Sequence, residues 1–417
     1  MHILFLTDNF PPEVNAPASR TFEHCRAWVA AGHQVTVITC APNFPKGKLF
    51  DGYRNKLWQT EERDGIRVIR VWTYIVSNEG LAKRILDYLS FMFSAILASP
   101  FVRKVDVVVG TSPQFFTACA AYVVSRYKRI PYVFELRDLW PESIKAVGAM
   151  SDSMLLRLLE KLEVLLYRKA AAVVSVTHSF RRNLIGRGIA SDKIHVIING
   201  VDLRVFKPRK PDAELKRALG LEGKFVAGYI GTHGMAHALE TVLDAAAKLR
   251  QRPEGDVYRI VLLGDGASKV ALMRRAADMG LDNVVFVDSV PKAEVTRYWS
   301  ILDLAIIHLK KTPLFSSVIP SKLFESMGMG IPVLHGVAGE SAALVEREGV
   351  GIAFEPEDST ALAKEVARLR TDTSLYEKLK ANCIRAAPRY DRTKLAATML
   401  DVLVEVSVSA SKAMRTR

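Results

Sequence analysis

Short runs of β-branched and apolar residues recur along the chain, each followed by a stretch whose apolar positions repeat with helical spacing. Ile3–Thr7, Gln34–Thr39, Ile66–Val71, Val105–Gly110, Tyr132–Leu136, Ala172–Val176 and Lys193–Ile198 read as strands. Strands that alternate with helices predict βαβ units, and therefore an α/β fold with parallel sheets. The first strand is followed by a polar loop and then by a helix from about Ala18 to Ala31, closed by Gly32. This is a Rossmann-like opening without a GxGxxG. A second series follows the Pro-containing stretch Phe206-Lys-Pro-Arg-Lys-Pro211, with strands at Val226–Ile230, Arg259–Leu263, Val284–Val287, Leu304–Ile307, Pro332–Leu334 and Gly351–Phe354. The pattern predicts two Rossmann-like domains, 1–205 and 206–387. A C-terminal segment, 388–417, is expected to pack back on the first.

Two uncharged stretches bear on membranes. Val107 to Ser125 is broken by Gly110-Thr-Ser-Pro-Gln114 and reads as strand, loop and helix. Tyr88 to Val102, YLSFMFSAILASPFV, falls short of the ~20 apolar residues that cross a bilayer. Lys83, Arg84, Arg103 and Lys104 bracket it, the arrangement of a helix lying in a membrane interface. A buried domain helix with exposed ends is the alternative. The apolar start Met1-His-Ile-Leu-Phe-Leu turns polar at Thr7-Asp8 with no preceding cations, so no signal peptide is expected and a cytoplasmic protein is.

The 417 residues suffice for two domains of about 200 residues each. Their 58 Lys+Arg against 44 Asp+Glu give a net charge of +14, which favours anionic partners such as nucleic acid, acidic lipid or a sugar nucleotide. The basic residues are dispersed and accompany no helix-turn-helix, RNP or zinc motif, which argues against nucleic acid as a partner. Cys25, Cys40, Cys119 and Cys383 lie far apart without a CxxC pair, so neither a disulfide framework nor a zinc ribbon is expected.

The chemistry concentrates in several short motifs: Ile197-Ile-Asn-Gly-Val-Asp202, Val226-Ala-Gly-Tyr-Ile-Gly-Thr232, Leu262-Leu-Gly-Asp-Gly266 and Pro320-Ser-Lys-Leu-Phe-Glu-Ser-Met-Gly-Met-Gly-Ile-Pro-Val333. Together with Gly32-His-Gln-Val-Thr-Val-Ile-Thr39 and Asp303-Leu-Ala-Ile-Ile307, they resemble the retaining glycosyltransferases of family 4, in that family's order and spacing. Arg137-Asp-Leu-Trp-Pro-Glu142 and Pro313-Leu-Phe315 look most like the bacterial fucosamine-transferase branch of O-antigen and capsule assembly. The resemblance implies the GT-B fold, two Rossmann-like domains facing a cleft. It also implies transfer of a sugar, possibly an acetamido-deoxyhexose, from a UDP-sugar to a polyprenyl-diphosphate-linked saccharide at the inner membrane surface. A sugar-nucleotide 2-epimerase of similar build is the enzyme alternative.

A Pro320-Ser321 start before a helix places backbone amides and a positive dipole end where a diphosphate can sit, with Lys322 in the first turn and Leu323 beside it. By resemblance, Glu325 accepts hydrogen bonds from the donor ribose. Ser317 stands where the family usually has a sugar-contacting glutamate. In Gly231-Thr-His-Gly-Met-Ala-His237, Thr232 and His237 replace the usual Arg and Lys, and His233 lies between them. The expectation is that these histidines donate to phosphate, becoming cationic if it raises their pKa, the alternative being solvent-exposed loop histidines. Gly231 and Gly264 complete the expected donor set.

Arg137, Asp138 and Glu142 follow a strand and are expected at the carboxyl edge of the first sheet. Arg137 replaces the family's usual His and supports the leaving phosphate or the acceptor electrostatically, unless it only forms an ion pair with Asp138 or Glu142. Asn15 and Ala16 replace two glycines of the family's acceptor loop. Ser19 and Arg20, at the expected helix start, are candidates for an acceptor phosphate, with an ordinary helix cap as the alternative. The chain contains no Asp-x-Asp, so a metal-independent mechanism without a cofactor is expected.

Overall fold

A computed structural model of the protein describes residues 1–44, 47–76, 81–139 and 154–415. The chain divides into two compact units, Met1–Ile198 with Arg392–Arg417, and Asn199–Asp391. The breaks differ from the expected 205–206 and 387–388. Residues 388–391 stay with the second unit because Val201 N–H donates to Tyr390 O (3.0 Å), Val201 bridges Asp391, and the Tyr390 ring lies 5.0 Å from that of Phe324.

The first unit is built on strands His2–Leu6 (β1), Gln34–Cys40 (β2), Trp58–Arg63 (β3), Ile66–Val71 (β4), Val107–Thr111 (β5), Tyr132–Leu136 (β6), Ala172–Ser175 (β7) and Ile194–Val196 (β8). They form one sheet in the order β3-β4-β2-β1-β5-β6-β7-β8, parallel except for the β3–β4 pair. Every position of β5 (VVVGT) and β6 (YVFEL) is buried, as both faces of a parallel sheet are covered. β3 was not expected. Its sequence WQTEER lies on the sheet edge, where polar side chains face water and no apolar run marks it.

The first helix spans Ala16–Ala30. It starts two residues earlier than expected because Asn15 caps it, accepting from Ala18 N at 2.8 Å, with Pro17 in its first turn. The C-terminal helix Arg392–Arg415 packs along it: Trp28 Nε1 donates to Ala396 O (2.8 Å), and Arg392 pairs with Glu23 at 2.6 Å, both buried. Among the described residues no helix is long and apolar enough to cross a membrane.

The second unit carries Phe225–Ile230 (β9), Tyr258–Leu263 (β10), Val284–Val287 (β11), Leu304–His308 (β12), Val333–Gly336 (β13) and Gly351–Ala353 (β14), in the parallel order β11-β10-β9-β12-β13-β14. Tyr229, Leu243, Leu249, Ile260 and Leu262 anchor its core. In both units the strand order reverses beside the first strand, between β1 and β5 and between β9 and β12. Each reversal opens a crevice at the carboxyl ends, the usual ligand position in doubly wound sheets.

Candidate functional site

In the second unit, three loops converge on the β9/β12 crevice. Gly231–His237 follows β9, 264–268 follows β10, and 309–321 leads from β12 into the helix Lys322–Met329. Hydrogen bonds lace them together: Gly231 N donates to Leu263 O (2.9 Å), His233 N to Asp265 O (2.9 Å), Ser268 N to His233 O (2.9 Å) and Lys310 N to Ala236 O (2.9 Å). Two glycines permit this approach. Gly264, at φ 146°, has no room for a Cβ against the Gly231 carbonyl; at Gly231, with φ 147°, a Cβ would stand 2.5 Å from Lys322 Nζ.

Lys322 lies in this crevice, its Nζ 3.7 Å from the Tyr229 ring centroid. Burial pushes its pKa down to about 7, against the pull of Glu325. Glu325 is half-buried on the same first turn. Leu323 N already donates to Pro320 O (3.1 Å), and Phe324 N and Glu325 N donate to Ser321 O (3.0 and 3.3 Å), so the amides left for an anion are those of Ser321 and Lys322. The Leu323 side chain is fully buried, which limits that residue to a packing role.

The histidines are not the solvent-exposed loop residues of the alternative reading. His233 is fully buried rather than exposed, and burial first, then Lys269 and Lys322, pushes its pKa down to about 4. His237, half-buried, is pushed down to about 3, by burial and then by Lys322. Both rings are therefore neutral at pH 7. Neither ring nitrogen of His233, nor Nδ1 of His237, has a hydrogen-bond partner among the described residues. Buried groups of this kind normally find one, and a ligand would supply it. His308, which the sequence reading passed over, spans the loops: its Nδ1 meets His237 O at 2.8 Å and its Nε2 accepts from Glu357 N at 2.9 Å.

Thr232 is exposed, and its carbonyl accepts from Tyr229 OH (2.8 Å). Ser316 and Ser317 donate their hydroxyl protons to Pro313 O and Leu314 O, each at 2.6 Å, which leaves their oxygens as acceptors for a sugar hydroxyl. Lys269 was also unforeseen. Its Nζ braces the β10 loop through Gly264 O (2.8 Å) and Asp288 (2.5 Å).

In the first unit, Arg137 and Asp138 leave β6 at the β1/β5 crevice, where Ser112 Oγ accepts from both backbone amides (2.8 and 3.2 Å). Arg137 donates to Pro17 O (3.2 Å). Burial pushes its pKa down to about 10 against the pull of Glu135, and it stays cationic at neutral pH. Glu142 lies outside the described residues.

The residues expected at the acceptor lie together on the cap and first turns of the helix Ala16–Ala30, each with a structural partner or place. Asn15 is the helix cap, Ala16 opens the helix, and Ser19 N donates within it to Asn15 O (3.0 Å). Arg20 is buried, its Nε 2.9 Å from Glu135 Oε1 and its other nitrogens on Ile198 O (2.9 Å) and Ile197 O (3.1 Å). Its guanidinium joins β6 to the end of the unit.

Two carboxylates beside this crevice stand out instead. Burial pushes Glu13 up to about 7 although its Oε1 accepts from Phe44 N (2.8 Å) and Asn43 N (2.9 Å), and it pushes Asp87 up to about 7 with help from Asp8. Glu13 lies two residues before Asn15, and only the fold reveals its burial. Among the described residues no group of three or more His, Cys, Asp or Glu is placed to hold a metal ion.

Comparison with known proteins identifies the architecture. A glycosyl transferase 4-like domain matches residues 15–200, and the glycosyl transferases group 1 family matches residues 211–388. The putative colanic acid biosynthesis glycosyl transferase WcaI of Escherichia coli is 25% identical over 377 residues, covering 87% of this chain and 90% of the relative. Among solved structures, the sucrose-phosphate synthase of Thermosynechococcus elongatus aligns with a TM-score of 0.78 at 16% identity over 98% of this chain and 99% of that one. HepE of Anabaena, in complex with UDP-glucose, aligns at 0.71 with 18% identity over 97% of this chain and all of that one. Two Rossmann-like units, each matched by its own glycosyltransferase model, place the chain in the group 1 and 4-like glycosyltransferases, with the GT-B fold.

Proposed function

We propose that the protein transfers a sugar, with retention at the anomeric carbon, from a UDP-sugar to a polyprenyl-diphosphate-linked saccharide in surface-polysaccharide synthesis, on the inner face of the membrane. The observation that carries this reading is the crevice of the second unit, where Lys322, the amides of Ser321 and Lys322 and the unpartnered ring of His233 lie around one glycine-lined turn. A diphosphate supplies what each of these groups lacks. The names of two relatives agree with it: WcaI is a colanic acid enzyme, and HepE was crystallised with UDP-glucose.

In this reading Glu325 receives the ribose hydroxyls, Lys322, Thr232, His233 and His237 face the diphosphate, and Ser317 meets the donor sugar. Arg137 and Asp138 serve the departing phosphate or the acceptor hydroxyl. No residue is assigned as a nucleophile. The leaving diphosphate helps a front-face displacement without a metal ion, the developing charge on it being met by Lys322.

The test is thermal stabilisation across UDP, GDP, ADP and TDP, because a ligand that binds only the native state raises its melting temperature. UDP should stabilise most. Equal or absent responses would remove the donor assignment.

A further inference from the structure

The helix Leu81–Ala98 has two faces. Phe91 and Ala95 are fully buried, whereas Leu86, Phe93 and Leu97, spaced seven and four residues apart along one stripe, stand out into solvent. Phe93 is 58% exposed and Leu97 73%. The stripe continues beyond the helix into Phe101, 69% exposed, whose ring packs edge-on against Trp58 at 5.6 Å. Trp58 begins the edge strand β3, and Leu57, just before it, is 81% exposed. Helix, turn and edge strand thus give one outward apolar surface, although each also has buried positions on which to pack.

Cations accompany it. Arg103 and Lys104 follow Phe101 after the buried Val102, Lys56 precedes Leu57, and all three cations are exposed. Arg126 and Arg129 are exposed on and just after the helix Phe115–Lys128, which packs beside Leu81–Ala98 and is tied to it through Tyr127 and Ser99 and through Lys128 Nζ to Val102 O (2.8 Å). Large apolar side chains exposed in one continuous area mark an interaction surface. Amphipathic Trp beside apolar Phe and Leu, with a cationic border, suits the boundary between acyl chains and anionic headgroups.

We propose that Leu57, Trp58, Phe93, Leu97 and Phe101 form a surface that docks on an anionic bilayer, with Arg103, Lys104, Arg126 and Arg129 at the headgroups. This deepens the proposed function, since a lipid-linked acceptor is met only at a membrane, and it rests on that reading for its purpose. Its physical evidence, exposure and charge in the first unit, is independent of the donor crevice in the second. The occupant is lipid and not a second copy of this chain, because a cationic border repels its own like and attracts phosphate.

The test is sedimentation with vesicles of phosphatidylethanolamine and phosphatidylglycerol, compared with vesicles of phosphatidylcholine alone. The wild type should bind the anionic vesicles and be released by salt. A triple variant, Phe93→Ser, Leu97→Ser and Phe101→Ser, changes only exposed positions, so its melting temperature should hold while vesicle binding falls about tenfold or more. The variant Arg103→Gln with Lys104→Gln should lose the preference for anionic vesicles.

Unchanged vesicle binding in the triple variant overturns the surface. So does a wild-type dimer that the triple variant converts to monomer while vesicle binding persists. UDP stabilisation, measured in parallel, keeps the two readings apart: lost vesicle binding with an intact UDP response in the triple variant supports the surface. A wild type that binds vesicles but ignores UDP removes the donor assignment and leaves the surface standing.

Discussion

Lys322 Nζ stands 3.7 Å from the centroid of the Tyr229 ring, where burial pushes its pKa down to about 7. At neutral pH the amine is therefore only partly protonated, and a diphosphate that needs the cation must restore the proton. UDP affinity should be level below pH 7. Above it, affinity should fall about tenfold per pH unit until the pKa of the bound state is reached. Calorimetry in buffers of different ionisation enthalpy should show proton uptake on binding at pH 8. Constant affinity from pH 7 to 9 would mean that Lys322 does not meet the phosphates.

Glu325, one turn inside the same helix, is assigned to the ribose. Glu325→Ala should weaken UDP by ~1–3 kcal/mol, the range for a hydrogen bond to a charged group. Titration of a folded variant decides it, and unchanged affinity removes the assignment.

Arg20 and Glu135 meet at 2.9 Å with both side chains buried. Burial alone would push the Glu135 carboxyl up, but Arg20 and Arg137 beside it hold it below its ordinary value. Arg20→Ala leaves that carboxylate without its partner, at a cost of ~3–5 kcal/mol in urea unfolding. Replacing both residues by apolar ones of similar volume should recover most of the loss. If Arg20→Ala keeps its stability and loses only turnover, Arg20 belongs to the acceptor after all.

Arg137→Ala tests the first unit's part in the chemistry. UDP affinity should stay nearly intact while turnover falls by at least ~100-fold, as when an electrostatic stabiliser of the transition state is removed. A lowered melting temperature with turnover preserved would reduce Arg137 to a structural cation.

Much of the fold was legible from the chain. Ile66–Val71, Tyr132–Leu136 and Val284–Val287 are strands at the residues expected, because short runs rich in β-branched and aromatic residues mark their own boundaries. Trp58–Arg63 escaped because an edge strand needs no apolar run. Local chemistry moved the helix start from Ala18 to Ala16, since Asn15 caps from the position first assigned to the acceptor. The donor residues were found by type and spacing, but their electrostatics were not. His233 is neutral because the 264–268 loop closes over it, and that closure depends on glycines thirty residues away in sequence. Arg20 illustrates the converse: a residue suited to an anion on paper is committed to Glu135 across 115 positions.

In the proposed reaction a nucleoside diphosphate sits in the crevice of the second unit. Amide hydrogen exchange with and without saturating UDP locates that ligand directly, because bound segments open less often. Protection should rise in Gly231–His237, in 264–268 and in Pro320–Glu325, with the first unit's Thr7–Asn15 loop little changed. Protection confined to that first-unit loop, or none at all under saturating UDP, would contradict the assignment.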